Sequence, residues 1–91
     1  MKIGMLFKVS GQVQGVGFRM ATLDIARRYQ LTGWVRNGQD GNTVNVKAFG
    51  HPDNMALLAA WLRDGPKHAN VSQVSSVPVS IEDLNDFSIK A

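Results

Sequence analysis

The most restrictive feature of this sequence is the order in which its hydrophobic period changes along the chain. From about Leu6 to Gln12 apolar residues alternate around Phe7 and Val9, the two-residue period of a half-buried strand. From Arg19 to Tyr29 the period lengthens. Thr22, Ile25, Ala26 and Tyr29 fall on one helical face, leaving Asp24, Arg27 and Arg28 free to meet solvent. Leu31 to Asn37 and Thr43 to Phe49 then read as two strands, and the NGQDGN between them opens on an Asn-Gly pair, a strong hairpin signal. Pro52 suits a first helical turn and Asp53 suits the helix dipole. Met55, Leu58 and Leu62 share one face until Gly65 and Pro66 end the run. Val71 to Val79 and a short Phe87 to Ile89 close the chain as strands.

Strand, helix, strand, strand, helix, strand, with a short terminal strand, predicts an α+β fold. Its economical form is a ferredoxin-like α/β sandwich of split βαβ type, a mainly antiparallel sheet with two helices on one face. Ninety-one residues provide one modest core, so one domain over residues 1–91 is expected. With no cysteine, neither disulfides nor thiolate zinc can hold it together, and a reducing cytoplasm suits it. No segment approaches the ~20 apolar residues of a membrane span, and MKIGMLFKV lacks the apolar run and cleavage site of a secretory leader. The expectation is a cytoplasmic monomer with no membrane association. The net charge is +3, with ten basic residues scattered from Lys2 to Lys90, which favours a modest pull on small anions over a nucleic acid partner.

This fold class hosts many functions, so the chemistry must come from particular residues. Between the first strand and first helix lie Gln14, Gly15, Val16, Gly17, Phe18 and Arg19. The two glycines let the backbone approach a ligand closely, and the helix start supplies unpaired amides, the makings of an anion cradle. Glycines at such a turn can also simply turn. Arg19 stands at the positive end of the helix dipole, a mismatch of about 0.3–1 kcal/mol that a bound anion would relieve. A guanidinium fork matches phosphate oxygens in a bidentate way; a solvated arginine at a helix end is the alternative. Asn37 is a natural turn residue, yet its amide can also accept from a water while donating to a phosphoryl oxygen.

No general base stands out. His51 and His68 read as surface or capping residues, and the seven carboxylates lack metal-site spacing, so neither a metal nor a cofactor is expected. An arginine, a row of amides and an asparagine can orient and neutralise but can do little proton chemistry. That restricts the substrate to a phosphate with a good leaving group. Acyl phosphates qualify, because a carboxylate departs as an anion without a general acid.

Two stretches carry a family resemblance. VSGQVQGVGFR, Val9 to Arg19, and GWVRN, Gly33 to Asn37, resemble the two signatures of the acylphosphatases, and the likeness extends over essentially the whole chain. The resemblance implies a cofactor-free hydrolase of small-molecule acyl phosphates, with inorganic phosphate as product or inhibitor. It implies that Arg19 binds the substrate phosphate, that Gln14, Gly15, Val16, Gly17 and Phe18 form the amide cradle, and that Asn37 orients the attacking water. The substrate's own phosphate would help to accept the water's proton. The chain departs from the pattern after Asn37. Gly38 stands where relatives often have threonine, and the turn that follows is one residue longer, a change expected to alter the hairpin tip and not the site. The rival reading is a non-catalytic ferredoxin-like module binding RNA or protein. The absence of stacking aromatics and basic residues over Val44 to Val46 argues against its RNA form. Nothing beyond the phosphate site marks a grip for the acyl half.

Overall fold

The computed structural model describes residues 1–91 and contains seven elements. They are β1 (Ile3–Gln12), α1 (Phe18–Arg28), β2 (Thr32–Asn37), β3 (Thr43–Gly50), α2 (Pro52–Asp64), β4 (Asn70–Pro78) and β5 (Phe87–Ile89). The strands form one sheet in the order β4-β1-β3-β2-β5. Neighbours are antiparallel except β2 and β5, which run parallel. This is the expected split βαβ arrangement: β3 lies between β1 and β2, and β5 extends the β2 edge.

The strand period sets the layers. Val9 pairs with Val44 and Phe7 with Val46 across β1 and β3, while Val46 also faces Val35 on β2. All of these are buried, and they form the floor on which Ala26 of α1 and Met55, Leu58 and Leu62 of α2 close the core. Packing α1 on β2 and β5, and α2 mainly on β4 and β3, covers the same face of the sheet. β1 begins at Ile3 and not near Leu6, because Ile3 and Met5 carry the pairing on to Gly50 and Ala48. Gly4 hides that continuation, since it interrupts the apolar alternation without interrupting the ladder.

The other face of the sheet corrects the expectation of scattered positive charge. Period two brings Lys8, Arg36, Lys47 and Lys90 from four strands or strand ends to this open face, although they are far apart in sequence. Each finds a local partner there. Lys47 pairs with Glu82, the Arg36 guanidinium lies 5.0 Å and the Lys90 ammonium 5.1 Å from the Trp34 ring centre, and Lys8 acts on Asp40. No helix is long and apolar enough to cross a membrane.

Candidate active site

The first functional motif sits where β1 runs out and α1 begins. Gly15 and Gly17 have φ of 74° and 78°, left-handed values that cost a side-chain-bearing residue about 1–2 kcal/mol. A Cβ at either position would meet nothing within 4 Å, so conformation and not crowding requires glycine here. Left-handed residues alternating along a short stretch bend the backbone into a concavity lined with N–H groups, a fixed local positive charge. Gly17 is the N-cap of α1, and having no side chain it leaves the first-turn amides uncapped.

The start of α2 makes an instructive contrast. There His51 Nδ1 accepts from the Asp53 amide at 3.1 Å and Asp53 adds an acid to the first turn. α1 has neither a side-chain cap nor an acid, and carries Arg19 instead. The helix start is nonetheless held firmly. Phe18 is 1% exposed and packs against Trp61 of α2 with ring centres 5.6 Å apart, and its carbonyl accepts from the Thr22 hydroxyl at 2.8 Å. Arg19 is therefore fixed at its base by a buried neighbour. Arg19 is half buried, and its guanidinium takes no carboxylate or carbonyl of the protein, in contrast with Arg27, which binds Asp86 and the Phe87 carbonyl.

Asn37 ends β2, and its parity decides where it points. Val35 faces the helices, so Asn37, two residues on, projects to the same side, next to buried Val44. That direction leads to the start of α1. Arg19 and Asn37 line one cavity of about 250 Å³ together with Gly15, Gly17 and Phe18. Two residues widely separated in sequence, each with a structural reading of its own, thus share one wall of the molecule. Like Arg19, Asn37 is half buried, and its side-chain amide has no hydrogen-bond partner in the protein.

Gln14 and Val16 do not line this cavity. Val16 packs against the core. The side chain of Gln14 reaches the β2–β3 turn, where Nε2 donates to the carbonyls of Gly38 and Thr43, both at 2.9 Å. It ties the glycine loop to the strand end that carries Asn37. Sequence spacing holds no sign of this bond, because its partners lie on a different element.

The turn after Asn37 is well braced. The Gly38 amide donates to the Thr43 carbonyl at 2.9 Å, and Asp40 Oδ1 accepts from the Asn42 amide and the Thr43 hydroxyl, each at 2.9 Å. These bonds, the backbone one first, hold the Asp40 carboxyl below its usual range. A Cβ on Gly38 would fall 1.9 Å from Thr43 Oγ1, so the threonine hydroxyl occupies the space that a side chain at 38 would need. A broader depression of about 560 Å³, lined by Lys8, Arg36 and Asn45 among others, opens on the far face of the sheet. Asn37 borders both cavities, but the depression includes Asp40 and receives no helix start, and the smaller cavity is the better candidate because there Asn37 and a cation meet the free amides of a helix start.

Comparison with known proteins identifies the family and the fold. The acylphosphatase family model matches residues 5–89. An acylphosphatase of Pseudomonas aeruginosa is 44% identical over 82 residues, covering 90% of this chain and 89% of that protein. The solved structure of an acylphosphatase from Coxiella burnetii superposes with a TM-score of 0.94 at 38% identity, over 98% of this chain and 93% of the other. That of an acylphosphatase from Bacillus subtilis also gives 0.94, at 31% identity over 98% and 99%.

Proposed function

The chain belongs to the acylphosphatase family of enzymes, and we propose that it hydrolyses the carboxyl–phosphate bond of acyl phosphates through the cavity between α1 and the end of β2. The observation that carries this reading is the convergence of Arg19 and Asn37 on one cavity, each half buried and neither engaged by the protein. In this mechanism Arg19 holds two phosphoryl oxygens while the uncapped amides around Gly15, Gly17 and Phe18 hold the rest. Asn37 accepts from the attacking water and aims it at phosphorus opposite the leaving carboxylate. The oxygen–phosphorus bond to the acyl group breaks as the water's oxygen bonds to phosphorus, and the water's proton passes to a phosphoryl oxygen. The products are carboxylate and inorganic phosphate. Gln14 and Val16 contribute to this reading through the loop's shape.

Two substitutions separate the roles. Arg19→Ala should abolish both turnover and inhibition by phosphate, whereas Asn37→Ala should abolish turnover and leave phosphate inhibition largely intact. Steady-state hydrolysis of an acyl phosphate with phosphate as inhibitor measures both, and wild-type turnover by either variant would defeat the assignment. The same reading takes residues 1–91 as one catalytic unit acting as a cytoplasmic monomer. The lack of cysteine accords with a reducing compartment, and a dimer in sedimentation equilibrium would count against the monomer.

A further inference from the structure

Resting on the function just proposed, we infer that Met20 and Ile89 form an apolar rim that grips the acyl half of the substrate, so that the enzyme prefers acyl phosphates with a hydrophobic acyl group. The cavity that holds Arg19 and Asn37 has a second character. Val13 and Phe18, each 1% exposed, form an apolar part of its wall, and Met20 and Ile89 complete it. These last two are 57% and 37% exposed and rank among the few large apolar side chains that the molecule shows to solvent. A single exposed methionine or isoleucine is ordinary. Two of them at the same cavity, delivered by elements from opposite ends of the chain, are a different matter.

Their placement follows from the fold. Met20 follows Arg19 on α1, one residue further into the helix. Ile89 pairs with Val35 in the parallel β2–β5 ladder, so it shares the helix-facing side of the sheet with Val35 and Asn37. Partly exposed there, it borders the opening. A phosphoryl group held by Arg19 and the loop amides leaves its acyl oxygen directed away from them, towards solvent. The carbon chain beyond that oxygen then passes the rim. An aromatic or branched acyl group would remove apolar surface of both partners from water there, while an acetyl group is too short and a carbamoyl group presents polar N–H instead. Because this contact is the same before and during phosphoryl transfer, it should act on KM more than on kcat.

The test compares benzoyl phosphate with acetyl phosphate on the wild type, on Met20→Ser, on Ile89→Ser and on the double variant, with inorganic phosphate as inhibitor. Leu57→Ser, which removes an exposed apolar side chain from α2, serves as control. The wild type should favour benzoyl phosphate in kcat/KM by about tenfold, and the double variant should lose most of that preference through a raised KM, with phosphate inhibition retained. A benzoyl-to-acetyl ratio that is unchanged in the double variant, or lowered as much in Leu57→Ser, would overturn the inference. A wild type that hydrolyses neither compound would instead refute the proposed function itself. The two failures are therefore distinguishable.

Discussion

Replacing Gln14 probes whether the site is held together by one side chain. Its Nε2 carries two hydrogen bonds of 2.9 Å to the carbonyls of Gly38 and Thr43, across a half-buried contact between the glycine loop and the hairpin turn. Each such bond contributes about 0.5–1.5 kcal/mol net, so Gln14→Ala should cost about 1–3 kcal/mol. The Thr43 carbonyl keeps its bond from the Gly38 amide, which moderates the loss. In a chain of this size the change corresponds to a melting temperature lowered by roughly 10 °C. The functional effect should be larger than stability alone implies. The loop carries Arg19's helix and the turn follows Asn37, so loosening their junction by about 1 Å would cost on the order of a hundredfold in kcat with phosphate inhibition little changed. Gln14→Glu sharpens the test, because an ionised carboxylate has no proton to donate and would face two carbonyl oxygens. Its folded-state pKa should be raised, so the variant is most destabilised above the ordinary glutamate range and recovers as pH falls and the acid regains a donor. Urea unfolding and steady-state kinetics measure both effects. Wild-type stability together with wild-type kcat in Gln14→Ala would refute the reasoning.

The glycine loop and the turn yield two further expectations. Gly17→Ala places a Cβ in open space but keeps it at φ 78°, so it should destabilise by about 1–2 kcal/mol through backbone strain, with weakened phosphate inhibition; a neutral effect in urea unfolding would show that the loop relaxes into another conformation. Asp40 binds the Asn42 amide and the Thr43 hydroxyl as a carboxylate, and its lowered pKa adds stability that is present above the unfolded value and lost as pH falls through the folded one. The stability of Asp40→Asn relative to the wild type should thus improve as pH drops below about 4; a gap independent of pH in acid unfolding would show that the charge contributes nothing.

What the sequence disclosed follows the range of the interactions involved. The helices were legible because their determinants are local: Met55, Leu58 and Leu62 repeat at helical spacing, and Pro52 and Gly65 bound α2 as expected. Arg19 was legible as a candidate because an arginine is mismatched to a helix start, and Asn37, a natural turn residue, because its amide could serve the same phosphate chemistry. Gln14's role was hidden because its partners, Gly38 and Thr43, are brought to it only by the hairpin folding over. The same holds for the rim. Met20 reads as one more exposed helix residue and Ile89 as the end of a short strand, and only the parallel pairing of β5 with β2 brings them to one opening. The open face was misjudged for a similar reason. Val44 to Val46 themselves carry no charge, and Lys8, Arg36 and Lys90 reach that face from neighbouring strands.

The cavity's composition also limits what reaction it can support. Its lining holds one charged side chain, Arg19, and one side-chain amide, Asn37, with glycines and apolar residues around them. None of these groups can take up or release a proton in the neutral range, so proton movement must be carried by water and by the substrate's own phosphate. A leaving alkoxide would need an acid to protonate it, and nothing in the lining supplies one. A leaving carboxylate needs none. Preorganised positive charge is then sufficient: the loop amides and the base of Arg19 are set before the substrate arrives, because Gln14 anchors the loop and Phe18, next to Arg19, is buried. On the proposed reading, the division of labour is between a phosphate end that determines the chemistry and an apolar rim that determines which acyl group is presented to it. On this argument, changing the rim should alter the choice of substrate, and changing Gln14 should alter the rate with every substrate alike.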